Sequence, residues 1–147
     1  MSGAGIRTNL QADPRLAGRL ERLAQLDTTP LLEAIGAEVE SQTRRRIAVD
    51  KTSPAGLPWP EWSTEYAKTR HSGQSLLQGD GHLLDSITYQ VEGDSVLIGS
   101  PLIYAATHQF GDLERGIEQR ELLGLEGDDL DDVVGLVEDY LEDIASD

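Results

Sequence analysis

Apolar residues recur at helical spacing in two long stretches of the chain. The first begins at Thr29-Pro30, where a proline at the first helical position lacks an amide that would find no partner in any case. Apolar positions then continue at intervals of three and four residues as far as Ile47, which predicts a helix over 30–48. The second stretch forms one apolar stripe, made of Leu130, Val133, Val134, Val137, Leu141 and Ile144. Acidic residues fill its first turn, where the helix dipole favours anions, so we expect a C-terminal helix.

A shorter helical pattern precedes these two. Asp13-Pro14 is typical of a helix start, because the aspartate side chain can accept hydrogen bonds from free amides of the first turn. A narrow apolar stripe follows at helical spacing, formed by Leu16, Leu20 and Leu23. We therefore expect residues 1–28 to form a helical extension at the N-terminus.

The pattern changes to a period of two further along the chain. Residues 86–91 alternate between polar and apolar side chains, which is typical of a half-buried strand. Gly93-Asp94 supplies a turn and the apolar run 96–98 returns, so the segment predicts a β-hairpin. The hairpin and the long helices together predict an α+β fold. In this fold a small antiparallel sheet has the long helix and the acidic C-terminal helix packed on it.

Two short helices complete the expected set of elements. One covers 63–70, with Ser63 or Thr64 as its N-terminal cap. The other covers 103–110 and ends at Gly111, where the backbone needs a positive φ. The length of 147 residues fits a single domain over the whole chain, since domains average about 100–200 residues.

Residues 50–82 interrupt the regular pattern with prolines and glycines. The prolines exclude a helix across 54–60. Both tryptophans of the chain, Trp59 and Trp62, lie in this loop. They would either hold the loop against the protein's own core or form an aromatic site that docks a partner.

The composition excludes several classes of protein. The chain has no cysteine, which excludes disulfide scaffolds, thiol nucleophiles and cysteine-ligated metals. No apolar run approaches the ~20 residues of a membrane span, and residues 1–9 lack the apolar region of a signal peptide. We therefore expect a cytoplasmic protein that does not contact a membrane.

Charge is distributed unevenly along the chain, whose formal net charge is −15. Residues 1–75 hold 10 basic and 9 acidic side chains, whereas residues 76–147 hold 2 basic and 18 acidic ones. The second half therefore repels nucleic acid and anionic lipid, which makes ordinary DNA binding through it unfavourable. Arg44-Arg45-Arg46 points in several directions from a helix, so we expect a solvated helix end there rather than a phosphate site.

Side chains able to carry out catalysis are sparse. The three histidines show no metal-ligand spacing, and the chain contains neither a phosphate-binding glycine loop nor a nucleophile elbow. Asp80 and His82 place an acid near a base, but a turn explains the glycines around them. The acidic pairs 128–129 and 131–132 lack the loop of a calcium site. We therefore expect no catalytic residue, no metal site and no cofactor.

Several short motifs follow one another in a particular order over residues 30–145. The loop and the segment before the hairpin contain Pro54, Gly56, Trp59, Pro60, Ser63-Thr64, Leu76-Leu77, Gly81, Leu83 and Ser86-Ile87. Beyond the hairpin come Tyr104-Ala105, His108-Gln109-Phe110-Gly111, Arg120 and Leu123-Gly124-Leu125. This order resembles the phage virion morphogenesis family, the tail-completion proteins of Mu-like and related tailed phages. The chain departs from that family's pattern at Glu118, where proline is usual, and at Glu121-Leu122, which replace proline-phenylalanine.

The resemblance implies a non-enzymatic structural protein of the virion. Such a protein completes the phage tail and joins it to the capsid connector at the neck, as a ring of subunits. Its partners would be copies of itself and other neck and tail proteins, namely the connector and the tail terminator or tube. Genome DNA would pass without specific binding, and the protein would be found in the tail or neck after assembly in the host cytoplasm.

Six residues are the candidate contacts with other subunits or partners: Trp59, Trp62, Tyr104, His108, Phe110 and Arg120. Arg120 is expected to form ion pairs. Packing in the protein's own core is the competing interpretation for each, and it is favoured for Tyr104 and Phe110. The unlike charges of the two halves of the chain suit the heterologous contacts of a ring.

Two other functions stay open on sequence grounds. An acidic helix also suits a small inhibitor that mimics DNA and blocks a nucleic-acid-binding protein. A hydrolase built around Asp80 and His82 is the third hypothesis.

Overall fold

The computed structural model of the chain describes residues 3–8, 27–69, 76–77 and 81–146. The strands within them are β1 (Ala4–Thr8), β2 (Thr88–Glu92) and β3 (Ser95–Ser100). The α-helices are α1 (Thr29–Arg45), α2 (Thr64–Ala67), α3 (His82–Ser86), α4 (Ile103–Phe110) and α5 (Gly127–Ser146). A π-helical turn, Arg46–Asp50, continues α1. The helical extension expected over residues 1–28 is wrong for Ala4–Thr8, which form β1. The helix expected from Asp13 onward lies outside the described residues.

The three strands form an antiparallel sheet in the order β1-β3-β2. Ile98 of β3 is paired with Ile6 of β1 and with Tyr89 of β2, so these three side chains lie on one face. Ile98 is fully buried there. The predicted hairpin is confirmed, because Gly93-Asp94 joins β2 to β3, with Gly93 at a φ of 60°.

Helix α1 packs against this face of the sheet at short range. A Cβ at Gly36 would lie 2.4 Å from Cδ2 of the Tyr89 ring, so only a glycine permits this approach. The buried residues of α1 and the π-helical turn recur at helical spacing: Leu31, Leu32, Ile35, Gly36, Val39, Gln42, Thr43, Arg46 and Ile47. The helix predicted over 30–48 is thereby confirmed, and its last turn is π-helical.

Helix α5 packs along α1 and extends the core. Its predicted apolar stripe is confirmed, with Val133, Val134 and Val137 buried and Leu130, Leu141 and Ile144 partly buried. Polar contacts also join α5 to α1 and to the residues just before α1. Gln42 Nε2 donates to the carbonyl oxygen of Asp129 (3.0 Å), and the Tyr140 hydroxyl donates to that of Asp27 (3.2 Å). The α+β fold expected from the sequence is confirmed.

Three short elements differ from the sequence pattern. The pattern does not predict β1, because Ile6 is its one large apolar side chain and a single position cannot reveal a period of two. Helix α3 was not expected either, and it starts at Gly81, whose φ is 81°. Strand β2 accordingly begins at Thr88. Helix α2 is shorter than the predicted 63–70, although Ser63 caps it as expected, with its Oγ accepting from an amide three residues on (3.2 Å).

The arginine cluster at the end of α1 is not simply a solvated helix end, so that expectation was wrong for Arg46. Arg46 is 2% exposed, and it donates to Asp129 Oδ2 (2.7 Å) and to the carbonyl oxygen of Leu122. Burial lowers the pKa of the Arg46 guanidinium, and the charge of Asp129 opposes that shift. The expectation holds for Arg45, whose side chain is 73% exposed.

Candidate functional site

Helix α4 presents two different faces. Ala105 is fully buried, and Gln109, one turn later, points to the segment beyond Arg120. Ile103 and Phe110 are seven residues apart, or about two helical turns, and they are 68% and 72% exposed. One face of this short helix therefore packs against the rest of the protein, while the other carries large apolar side chains on the surface.

A tight turn extends the exposed surface beyond the end of α4. Gly111 ends the helix as predicted, with a φ of 73°, and a Cβ there would lie 3.0 Å from the Gln119 amide nitrogen. Asp112 and Ile117 then exchange two backbone hydrogen bonds of 2.9 and 2.8 Å. Leu113, in the turn between them, is 98% exposed. We refer to the exposed residues Ile103, Tyr104, Phe110 and Leu113 as the α4 ridge.

Gln109 holds α4 in place through its side-chain amide. Its Oε1 accepts from the backbone amides of Leu122 (3.0 Å) and Leu123 (2.9 Å). Its Nε2 donates to the carbonyl oxygen of Leu123 (3.0 Å). Because unpaired buried backbone groups are costly, this one side chain supplies bonds that a neighbouring strand would otherwise make. Sequence reasoning missed Gln109, although it stands between the candidates His108 and Phe110.

The same irregular segment receives side chains from two distant parts of the chain. Trp59 Nε1 donates to the carbonyl oxygen of Glu121 (2.8 Å), and Arg46 donates to that of Leu122. A tryptophan, an arginine and a glutamine thus satisfy three consecutive carbonyl groups. Leu122 and Leu123 are 0% and 2% exposed. The backbone of a buried loop is therefore held in place without a β-ladder.

Arg120 connects α4 to the tryptophan-containing loop. Its Nε donates to the carbonyl oxygen of Pro60 (2.8 Å), and its Nη2 donates to that of Glu61 (3.1 Å). Its backbone amide donates to the carbonyl oxygen of His108 (2.8 Å). The sequence suggested ion pairing for Arg120, but its side-chain acceptors here are backbone carbonyl groups, and the residue is 8% exposed. Arg120 therefore positions the loop from inside the protein.

His108 contacts Tyr104 within the same helix. The two rings meet edge to face, with their centroids 6.4 Å apart. Burial lowers the pKa of the His108 imidazole, and the charge of Arg120 lowers it further. Nδ1 of His108 is buried and has no hydrogen-bond partner among the residues described. Both effects favour the neutral form of the imidazole, which supports the Tyr104 ring by packing.

The two tryptophans of the loop have different surroundings. Trp59 is 4% exposed and belongs to the core, as the core-packing interpretation expects. Trp62 is half-buried and meets the ring of Tyr66 edge to face, with centroids 5.9 Å apart. Tyr66 is 48% exposed. Trp62 is therefore the tryptophan of this pair that reaches the surface.

The core packing favoured for Tyr104 and Phe110 was wrong, because these residues are 41% and 72% exposed. Helix α4 carries apolar side chains on more than one face, so its periodicity could not show which face meets the core. The exposed neighbour Ile103 was missed for the same reason, whereas Leu113 was missed because it lies in a turn, where no periodicity applies. The tertiary structure turns Gln109 toward residues 122–123 and leaves the ridge exposed.

The described residues bear on three other functions considered for the chain, namely metal binding, hydrolysis and membrane insertion. Within them, no group of three or more ligating side chains could hold a metal ion. His82 is exposed at the start of α3, and Asp80 lies outside the part of the chain that the structure describes. No helix in that part is long and apolar enough to cross a membrane. What the site does present is the exposed apolar surface of the α4 ridge.

Comparison with known proteins places these features in a family. The model of the phage virion morphogenesis family matches residues 9–142. The chain is also similar to the putative capsid assembly protein G of Escherichia phage Mu, with 31% identity over 102 residues. That similarity covers 63% of this chain and 65% of the Mu protein, slightly less than two thirds of its length. No solved structure matches the chain. Because the family model spans most of the sequence, the chain belongs to the phage virion morphogenesis family, and its role lies in phage virion assembly.

Proposed function

We propose that this protein is a structural component of the virion neck that completes the tail and joins it to the capsid connector as a ring of subunits. The α4 ridge is the observation that supports this proposal. If a fully exposed large side chain offers ~200 Å², the four ridge residues expose on the order of 500 Å² of surface. Patches of roughly 300–600 Å² are the largest on typical monomers and are often functional.

Hydrogen bonds anchor the backbone of α4, which carries three of the four ridge residues. Gln109 and Arg120 fix α4 to the buried segment 120–123 and to the loop at Pro60. A binding surface that is already ordered loses little conformational entropy on association. An anchored helix backbone therefore suits a permanent assembly contact.

The charge of the molecule suits a position through which DNA passes. Acidic residues 132, 139 and 143 are exposed along α5, and residues 76–147 as a whole carry 18 acidic and 2 basic side chains. An acidic wall repels the phosphate backbone, so genome DNA would pass the ring without being held. The DNA-mimic hypothesis depends on these same acidic residues but leaves the α4 ridge without a role.

Particle assembly tests the proposed function. A phage that lacks this gene is supplied with the wild-type protein or with the double variant Phe110→Asp/Leu113→Asp. We expect the double variant to leave heads and tails unjoined in negative-stain images and to be missing from purified particles. Leu57→Asp is the matched control, because Leu57 is 68% exposed but lies outside the ridge.

Folding of each variant is checked by circular dichroism before it is used. The proposal fails if infectious virions of normal appearance form without the protein. It also fails if the protein is absent from wild-type particles, since a structural component of the neck must remain in the virion.

A further inference from the structure

A second exposed apolar position lies beside a basic side chain at the end of α1. Val49 is 70% exposed, and Arg45, one helical turn earlier, has a side chain that is 73% exposed. We refer to these two residues as the Arg45–Val49 strip. The neighbouring arginines are used within the protein, because Arg44 pairs with Glu40 (2.9 Å) and Arg46 is buried against Asp129.

Arg45 is available for a new partner. Its Nε lies 3.5 Å from Asp50 Oδ1, in a pair whose side chains are 73% and 41% exposed. Exposed pairs of this kind are weak because water and salt screen them. A carboxylate of another molecule can therefore replace Asp50 with little cost.

The α4 ridge has the opposite charge at its margin. Glu114 directly follows Leu113 and is exposed, and Glu118 is exposed just beyond the turn. Arg115 lies within the same turn and is also only weakly paired, with its Nε 3.6 Å from Asp112 Oδ2, but Asp112, Glu114 and Glu118 outnumber this one basic side chain. The ridge is thus an apolar surface with an acidic margin, and the Arg45–Val49 strip is an apolar position with a basic neighbour.

We infer that the α4 ridge of one copy docks on the Arg45–Val49 strip of the next copy, with Leu113 against Val49 and Glu114 facing Arg45. Two different surfaces of one chain then meet in a heterologous contact, which can close into a ring when repeated. The inference rests on the proposed function and names the surfaces that such a ring would use. A standard interface buries ~800 Å² per partner, so the ridge would form its apolar centre.

Cross-linking between two single-cysteine variants tests this contact, because the natural chain contains no cysteine. Val49→Cys and Leu113→Cys proteins carrying different tags are produced together in cells that assemble the phage, and particles are purified under mild oxidation. We expect the mixed Val49→Cys/Leu113→Cys dimer to exceed both homodimers. Leu57→Cys mixed with Leu113→Cys is the control, since Leu57 and Val49 are almost equally exposed, at 68% and 70%.

The outcomes separate this inference from the proposed function. If both cysteine variants enter the particles but form dimers only in the proportions of random collision, the inferred contact is wrong while the neck proposal stands. If neither variant is found in particles that nevertheless assemble, the proposed function fails and the inference fails with it.

Charge exchange gives a second, independent test. Arg45→Glu and Glu114→Arg should each lower the yield of joined particles at least tenfold, and the two changes combined in one chain should restore it. Additive losses in the combined variant would overturn the pairing of Glu114 with Arg45, because a direct contact requires mutual rescue.

Discussion

At the scale of single residues, the fold depends on a few polar side chains that complete the backbone hydrogen bonds of a buried loop. Arg46, Trp59 and Gln109 each donate to one carbonyl group of residues 121–123. Each of these side chains contributes strongly to stability, because losing its polar group leaves a buried backbone group without a partner. Two predictions follow from individual residues of this region.

The first concerns Gln109. The Gln109→Ala variant leaves two amides and one carbonyl of residues 122–123 unpaired. We expect the free energy of unfolding to fall by about 2–4 kcal/mol, because each unpaired buried group costs roughly 1–3 kcal/mol. Urea denaturation followed by tryptophan fluorescence measures the change. Gln119→Ala is the control, since Gln119 is exposed and donates one bond, to the Gln109 carbonyl oxygen. Equal losses in the two variants would contradict the role given to Gln109.

The second concerns pH and His108. The imidazole has a pKa of 6.5 in its unperturbed state, and burial lowers that pKa in the folded protein. As pH falls below 6.5, the unfolded chain binds a proton that the folded protein resists, so stability decreases. The variant His108→Gln has no imidazole to protonate, so it should not lose stability in this way. Its stability relative to the wild type should therefore increase as the pH falls from 7 to 5. Denaturation midpoints at several pH values measure the difference, and a difference that does not change with pH would contradict it.

At the scale of elements, the close packing of α1 on the sheet depends on a missing side chain. A Cβ at Gly36 would approach Cδ2 and Cγ of Tyr89 to 2.4 and 2.6 Å. Either the ring or the helix would have to move to admit it. The distance between helix and sheet is therefore set by Gly36, and larger residues of α1 contribute apolar burial around it.

The Gly36→Ala variant should consequently be less stable by about 1–3 kcal/mol, the range found for overpacked cores. Gly135→Ala in α5 is the matched control, because a Cβ there meets nothing within 4 Å. Alanine in that open helical position should raise stability by about 0.5–1 kcal/mol. Thermal unfolding measures the change in stability of both variants, and the two changes should have opposite signs. Stabilisation by Gly36→Ala would contradict this and show that the Tyr89 ring moves freely.

At the scale of the whole molecule, charge separates the two halves of the chain. The formal net charge is −15, and residues 76–147, with 18 acidic and 2 basic side chains, supply all of the excess negative charge. Long-range repulsion opposes random association of copies and leaves short-range complementarity to select the contact. The electrostatic field of these acidic residues also determines whether the protein attracts or repels nucleic acid.

We expect the purified protein not to bind duplex DNA even at low salt, where electrostatic attraction is strongest. Fluorescence anisotropy with a labelled duplex measures binding, and a basic DNA-binding protein serves as the positive control. Tight binding that weakens as salt is added would contradict the proposed repulsive wall.

Sequence and tertiary structure decide different features of this protein. The sequence by itself determined α1, α4, α5, the hairpin and the family resemblance, because periodicity, turn residues and motif order are local properties. Only the tertiary structure decided that Phe110 is exposed while Trp59 is buried. It also brought Arg46 to Asp129, 83 positions away, and Trp59 to Glu121, 62 positions away. Those outcomes depend on which surfaces meet when the chain folds, and no local pattern of apolar and polar residues encodes that pairing.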